Sequence, residues 1–381
     1  MGQFLQQAIR GLHRRLRGHG IVDGAAGKGH DKECLLLYIV DPFRNSESNF
    51  HHQNQLQVQE LARVVSGLGY NVDVIHFSDR RVRLRKRYDL VIDLHPGGND
   101  VYLRHMAPGC SRVGYITGTN PSVANVAELL RIQGVCDRRG VRLKARRQVK
   151  PFDREALETL DAMFLVGNRH TLASYSEFTV KKVFLVNNTG YDFLRDEEAS
   201  EKSPRNFLFF GGYGQVHKGL DLLLEVFPRN KDWNLFVCSA YHLEKDFCKA
   251  YEKELFRTEN IFPMGLADIR SDEFRRICRK CSFCVLPSCA EGMSGSALTC
   301  MSAGLVPIVS RECGLEDSDV KVLPDCSIEG IESTLRSCAS REPDWIARES
   351  ARMMDLAGCR YSMENYSKTI RTSMQELLER R

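Results

Sequence analysis

No apolar stretch in this chain of 381 residues approaches the ~20 needed to span a bilayer, so a helical membrane crossing is not expected. Proline is sparse, with 12 residues, and no Pro/Gly/Ser-rich or acidic block occurs, which excludes a long disordered region. No short-period repeat is present, so the chain is not a solenoid. Neither the GxGxxG spacing of dinucleotide sites nor the GxxxxGK[ST] of phosphate loops occurs, which argues against both ligand classes. The basic runs carry no interleaved aromatics, and no helix-turn-helix, finger or RNA-binding signature accompanies them, so nucleic acid is not an expected partner. A secretory leader is also lacking. The 14 cysteines lie in apolar segments such as ECLLLYIV and LFVCSA, as buried thiols do in reducing compartments, and a cytoplasmic protein is expected.

What is present is a soluble composition, 43% hydrophobic and 27% charged, in a chain longer than one hydrophobic core usually supports. Two domains are therefore expected. From residue 34 onward, short apolar runs alternate with segments of helical period, the pattern of parallel sheets with crossover helices. Predicted first-half strands are 34–40, 71–77, 89–94, 112–117, 162–167 and 182–188, with Leu61, Val64, Val65 and Leu68 forming a helix stripe that Gly69 ends. The polar stretch 191–205 reads as a linker. Strands are then predicted at 206–210, 233–239, 260–265, 282–287 and 305–310, and two helices at 342–357 and 362–379. The expected fold is α/β, with two Rossmann-like doubly wound domains facing a cleft. The expected parts are a basic amphipathic start (1–30), a first domain (31–190), a linker (191–205), a second domain (206–360) and a last helix (361–381) crossing back. Ligands of such sheets sit at the carboxyl ends of the strands.

The net charge of +5 is concentrated in the first half, in RRVRLRKR (80–87) and RRGVRLKARRQVK (138–150). Either an anionic partner or a solvated basic face explains those runs. At the start, Leu5, Ile9, Leu12 and Leu16 share a helical stripe with Arg10, Arg14, Arg15 and Arg17 beside it. That pattern suits a peripheral contact with an anionic membrane at its inner face, and equally a helix docked on its own domain. Gly2 is followed by Gln6 where a myristoylation signal prefers Ser or Thr, so lipidation is not read here.

Two loops concentrate chemistry. FLFFGGYGQVHKGLDLLLEVF (207–227) is a strand, a turn with Gly211, Gly212 and Gly214, then Lys218 at a helix start. Glycines admit backbone N–H groups close to an anion, and the lysine adds a point charge. PSCAEGMSGSALTCMSAG (287–304) places Glu291, Gly292, Ser294, Gly295 and Ser296 between a buried strand and a helix. Its hydroxyls and free N–H groups suit a diphosphate, and Glu291 suits sugar hydroxyls. A serine-capped helix would explain Ser294 or Ser296 alone.

Together, GG...HKGLDLLLE and PS..EG....AL..M.AGL.PIVS about seventy residues later resemble the second domain of GT-B glycosyltransferases of family 4, which are retaining and use nucleotide sugars. The resemblance implies that Lys218 is the donor-phosphate lysine and Glu291 the first glutamate of the paired-glutamate motif. It further implies a nucleotide-diphosphate sugar as donor substrate and a hydroxyl acceptor; charge on a diphosphate leaving group can be met by Lys218 and helix N–H groups, so neither metal nor cofactor is expected, and the basic first half with the amphipathic start suits a saccharide or glycolipid acceptor in cell-surface polysaccharide or glycolipid synthesis. Three positions depart from the family pattern: Thr299 stands where the ribose-gripping glutamate is expected, Tyr213 where many members have an arginine, and GYITG (114–118) lacks a histidine.

His95 follows DLVIDL and precedes Pro96, Gly97 and Gly98, so it is either a catalytic imidazole or a structural one. Thr117, Gly118 and the loop with His51, His52 and Asn54 are further acceptor-side candidates. Two other readings stay open. One is a noncatalytic GT-B-like sugar-nucleotide-binding or scaffold protein. The other is a metal or cluster protein using Cys278, Cys281, Cys284 and Cys289, although Cys284 falls inside a buried run.

Overall fold

The computed structural model describes residues 19–44, 53–195 and 201–379. The amphipathic start, His51, His52 and the middle of the linker lie outside the described residues.

In the first half, β1 (Ile21–Val22), β2 (Lys32–Tyr38), β3 (Tyr70–His76), β4 (Tyr88–Asp93), β5 (Met106–Ile116), β6 (Ala162–Val166) and β7 (Val183–Val186) form one sheet in the order β1-β3-β2-β4-β5-β6-β7. All neighbours are parallel except β1, which runs antiparallel along β3 from Ile21 opposite Ile75. Parallel strands covered on both faces read as continuous apolar runs, and Cys34–Tyr38 is buried on both. The second sheet runs β10-β9-β8-β11-β12-β13, built from β8 (Ser203–Phe210), β9 (Asn234–Cys238), β10 (Ile261–Pro263), β11 (Cys281–Leu286), β12 (Val306–Val309) and β13 (Lys321–Val322), all parallel. Its core holds Phe207, Phe227, Phe283 and Trp233, with Phe207 stacked on Phe283 at 5.5 Å between centroids. The α/β class and the pair of parallel sheets agree with the sequence reading. The two-residue strands β1 and β13 were not anticipated, because two residues carry no periodicity.

Six helices carry or brace the residues of the two loops: α1 (Gln53–Ser66), α2 (Pro121–Arg139), α3 (Leu220–Val226), α4 (Gly295–Ser302), α5 (Pro343–Cys359) and α6 (Met363–Glu379). Local chemistry sets the ends of α2: the Asn120 side chain accepts from the Ser122 N–H at 3.0 Å, Pro121 opens the first turn, and Gly140 closes the last at φ 68°. Helix α6 returns to the first half, where the Tyr366 hydroxyl bonds that of Tyr115 at 2.8 Å and Lys182 pairs with Glu376. Among the described residues no helix is long and apolar enough to cross a membrane.

The two basic runs divide: in the first, Arg80, Arg81, Arg83, Arg85 and Arg87 are exposed as a solvated basic face, with Lys86 the exception, whereas several arginines of the second are paired. Lys86 is drawn to Asp23, Glu33 and the buried Asp73 at 2.9, 3.1 and 3.0 Å. In the second run, Arg138 reaches Asp221 of the other half at 2.6 Å, Arg139 reaches Glu225 and Glu254 at 2.7 and 2.8 Å, and Arg146 pairs with Asp246. The expected anionic partner of this run is therefore, in large part, the protein's own second half. Asp221 has no exposed surface, and burial lifts its carboxyl to about 6 against the pull of Arg131 and Arg138.

Candidate active site

The sheets are arranged so that the loops after β8 and β11 meet. Gly219, at φ 79°, makes the turn into α3 in a conformation that strains any side chain, and a Cβ there would run into the Pro287 carbonyl. This close approach delivers Lys218 to the Glu291 turn: Lys218 Nζ lies 2.7 Å from Glu291 Oε1, which also accepts from the Ser288 hydroxyl at 3.1 Å. Both side chains are largely withdrawn from water, 9% and 14% exposed. Burial pushes the Glu291 carboxyl up, but the Lys218 ammonium, the His217 ring and Arg147 override it and hold it at about 2. Beside them His217 Nε2 donates to the Ala290 carbonyl at 2.5 Å, and burial favours its neutral form. The structure thus brings Lys218 and Glu291, seventy-three residues apart, into one ion pair.

The glycine turn is organised by a residue the sequence did not single out. Glu244, 2% exposed, accepts from the N–H groups of Gly214 at 2.7 Å and Gln215 at 3.2 Å. Gly211 donates to the Cys238 carbonyl at 3.0 Å. These N–H groups therefore shape the loop and are not free for an anion. In the second loop the Ser294 N–H is taken by the Cys313 carbonyl at 2.8 Å, while the Ser294 hydroxyl caps α4 by accepting from Ala297. The N–H groups of Gly295 and Ser296 have no acceptor among the described residues and stand at the positive end of α4.

First-half residues clasp the Glu291 turn. The carbonyls of Glu291, Gly292 and Met293 accept from Thr119 (N–H at 3.2 Å, and its hydroxyl), the Thr171 hydroxyl (2.9 Å) and the Asn188 amide (2.7 Å). Gly292 is pressed so close that a Cβ would sit 2.6 Å from the carbonyl oxygens of both Thr117 and Val166. Thr117 and Gly118 thus form the wall against which this turn closes. Thr299 is engaged from the first half too: the Gln53 amide donates to its hydroxyl at 2.9 Å and to the Gly295 carbonyl at 2.8 Å. Gln53 and Asn54, which the sequence reading assigned to a polar loop, open α1 instead, and the 246-residue separation of Gln53 from Thr299 left no local signal of the contact.

His95 is placed apart. Its Nε2 lies 3.2 Å from the Lys150 carbonyl, its ring packs on Phe152 at 4.8 Å, and its buried Nδ1 has no partner. No hydrogen bond joins it to Lys218 or Glu291 among the described residues. Its link to the pair is indirect, through the segment that carries both Lys150 and Arg147. Cys278, Cys281, Cys284 and Cys289 are buried thiols, and among the described residues no group of three His, Cys, Asp or Glu side chains is placed to hold a metal ion.

Residues 204–330 match the family model described as Glycosyl transferases group 1. A comparison with curated protein sequences finds no match. Among solved structures, the chain is similar to sucrose-phosphate synthase from Thermosynechococcus elongatus, with a TM-score of 0.64 at 13% identity over 92% of this chain and 100% of that one. It is similar to Alr3699/HepE from Anabaena, solved with UDP-glucose, with a TM-score of 0.59 at 10% identity over 91% and 99% of the two chains. It is also similar to WaaG, a glycosyltransferase involved in lipopolysaccharide biosynthesis, with a TM-score of 0.57 at 15% identity over 89% and 99%. At such identities the structural likeness speaks for the fold, and the family model for the half that holds Lys218 and Glu291. The chain has the GT-B fold of these glycosyltransferase structures, and its residues 204–330 match a glycosyl transferases group 1 domain.

Proposed function

We propose that the protein transfers a sugar from a nucleotide-diphosphate donor to a hydroxyl of a saccharide or glycolipid acceptor, with retention and without a metal. The proposed division of labour has a first, acceptor-side domain (31–190) and a donor-binding domain (206–360), joined by the linker 191–205 and bridged by the last helix.

The observation that carries this reading is the buried Lys218–Glu291 pair, formed at the loop that leads into α4, whose Gly295 and Ser296 N–H groups have no acceptor among the described residues. The leaving group is a nucleoside diphosphate, so the barrier falls if its developing charge meets cations and N–H donors that are already oriented. Lys218 supplies the cation, and the α4 terminus supplies donors and the positive end of a helix dipole. Glu291, held ionised by its neighbours, accepts hydrogen bonds from sugar hydroxyls once Lys218 is shared with the phosphate. Gly211, Gly212, Gly214, Gly292 and Ser294 shape the walls through their backbone, and Thr299, whose hydroxyl is engaged by Gln53 and the Gly295 carbonyl, braces the start of α4. The closed halves exclude water, which protects the activated donor from hydrolysis. In this reading the departing phosphate takes the acceptor's proton, and His95 lines the acceptor side. The UDP-glucose bound by Alr3699/HepE and the lipopolysaccharide role of WaaG support a nucleotide-sugar donor and a cell-surface glycan acceptor.

The test is transfer, or donor hydrolysis, by purified protein across a panel of nucleotide sugars. Lys218→Ala and Glu291→Ala should each abolish most turnover while leaving the circular dichroism spectrum intact. Unchanged turnover in both variants removes the site assignment, and a protein that binds donors yet never turns them over is a scaffold.

A further inference from the structure

We propose that Arg147, a residue of the first half, is the second cation of the donor diphosphate site and reaches it because the two halves close. The inference rests on the donor reading above and adds to it the residue that discriminates diphosphates from monophosphates.

The geometry begins with the stretch 141–150, which follows α2 and has no strand partner. Side chains of α2 hold its backbone instead. Glu128, only 1% exposed, accepts from the N–H groups of Arg146 at 2.8 Å and Arg147 at 2.9 Å, and from the Gln148 amide at 2.7 Å. One turn earlier, Asn125 and Val149 exchange two hydrogen bonds, of 2.8 and 2.9 Å. A buried carboxylate is costly unless it is fully used. Here it sets the direction in which consecutive arginines leave the chain.

Those arginines then divide. Arg146 pairs with Asp246 and lies over the Tyr213 ring at 5.9 Å, as Arg138 and Arg139 pair with second-half carboxylates. Arg147 crosses to the glycine turn: a Cβ on Gly214 would lie 2.7 Å from its Cγ and 3.1 Å from its Cδ. Unlike its neighbours, it has no carboxylate partner among the described residues. Its positive charge nevertheless acts on Glu291 and on His217, as that of Lys218 does. The Tyr213 and Gly214 turn offers no cation of its own, and a single ammonium does not balance a diphosphate. A guanidinium over the turn supplies the missing charge and a planar fork for two phosphate oxygens. Since Arg147 comes from the first half, the site is complete only when the halves are closed, which ties charge stabilisation to exclusion of water.

The experiment is calorimetric titration of the full chain, as wild type, Arg147→Ala and Arg147→Lys, with UDP, GDP and ADP and with the matching monophosphates. For whichever diphosphate binds the wild type, Arg147→Ala should weaken it tenfold or more, leave its monophosphate within twofold, and keep the melting temperature. Arg147→Lys should recover part of the loss, because it restores charge without the fork. In turnover, Arg147→Ala should raise the donor KM and lower kcat together. Equal diphosphate affinity in Arg147→Ala and wild type overturns the role of Arg147 and leaves the donor reading standing. Wild type binding none of the diphosphates overturns the donor reading, and this inference with it.

Discussion

Replacing Lys218 by methionine keeps the aliphatic stem and removes the ammonium from Glu291. The two side chains are 9% and 14% exposed, so the stranded carboxylate cannot simply be hydrated. Breaking a buried pair by removing one member costs about 3–5 kcal/mol, and the Ser288 hydroxyl 3.1 Å away places this case at the lower end. The ionisation of Glu291 gives the same scale. Its carboxyl is held at about 2 against an ordinary 4.5, which corresponds to about 3 kcal/mol. The sign follows from the direction: a depressed carboxyl stabilises the fold fully above its unfolded value and loses that contribution as pH falls from about 4.5 toward 2. Both tryptophans, Trp233 and Trp345, belong to the second half, so urea unfolding followed by tryptophan fluorescence reports the half that holds the pair. At pH 7 Lys218→Met should cost about 3 kcal/mol, and its stability should fall less than the wild type's on acidification. Adding Glu291→Gln should bring the protein back to within about 1 kcal/mol of wild type, because no charge is then left unpaired. A cost below about 1 kcal/mol for Lys218→Met, or a double variant no more stable than the single one, would show a solvated pair and refute the reasoning.

Gly292→Ala places a Cβ 2.6 Å from two backbone oxygens of the first half, which cannot move aside as a side chain could. Small-angle scattering should show a larger radius of gyration and transfer should be lost, with the tryptophan-reported midpoint unchanged; an unaltered radius would count against the closed arrangement. Arg138→Ala with Arg139→Ala removes the guanidinium hydrogen-bonded to the fully buried Asp221 across the interface, at about 3 kcal/mol or roughly a hundredfold in the closed-to-open ratio. The same scattering measurement should show opening that Asp221→Asn partly reverses.

The fold was legible because its determinants are local. Runs such as CLLLY and CSFCVL can only be interior parallel strands, and the Gly219 turn and the Ser294 cap follow from residues within a few positions of each other. The strands β1 and β13 escaped because they exist only through pairing with a neighbour. The last helix's extent was visible in sequence, whereas its seat against Tyr115 was settled by packing.

By itself the amino-acid order determined two α/β halves, the loops that hold Lys218 and Glu291, and their likeness to one transferase family. Tertiary structure alone decided how those loops are staffed. Glu244 takes the N–H groups of Gly214 and Gln215, Gln53 takes Thr299, and Arg138, Arg139 and Arg146 pair with carboxylates of the second half. The reason is one of range. Charge and hydrogen-bonding capacity are written at each residue, but their partners lie 29 to 246 positions away, and only tertiary packing brings them within about 3 Å.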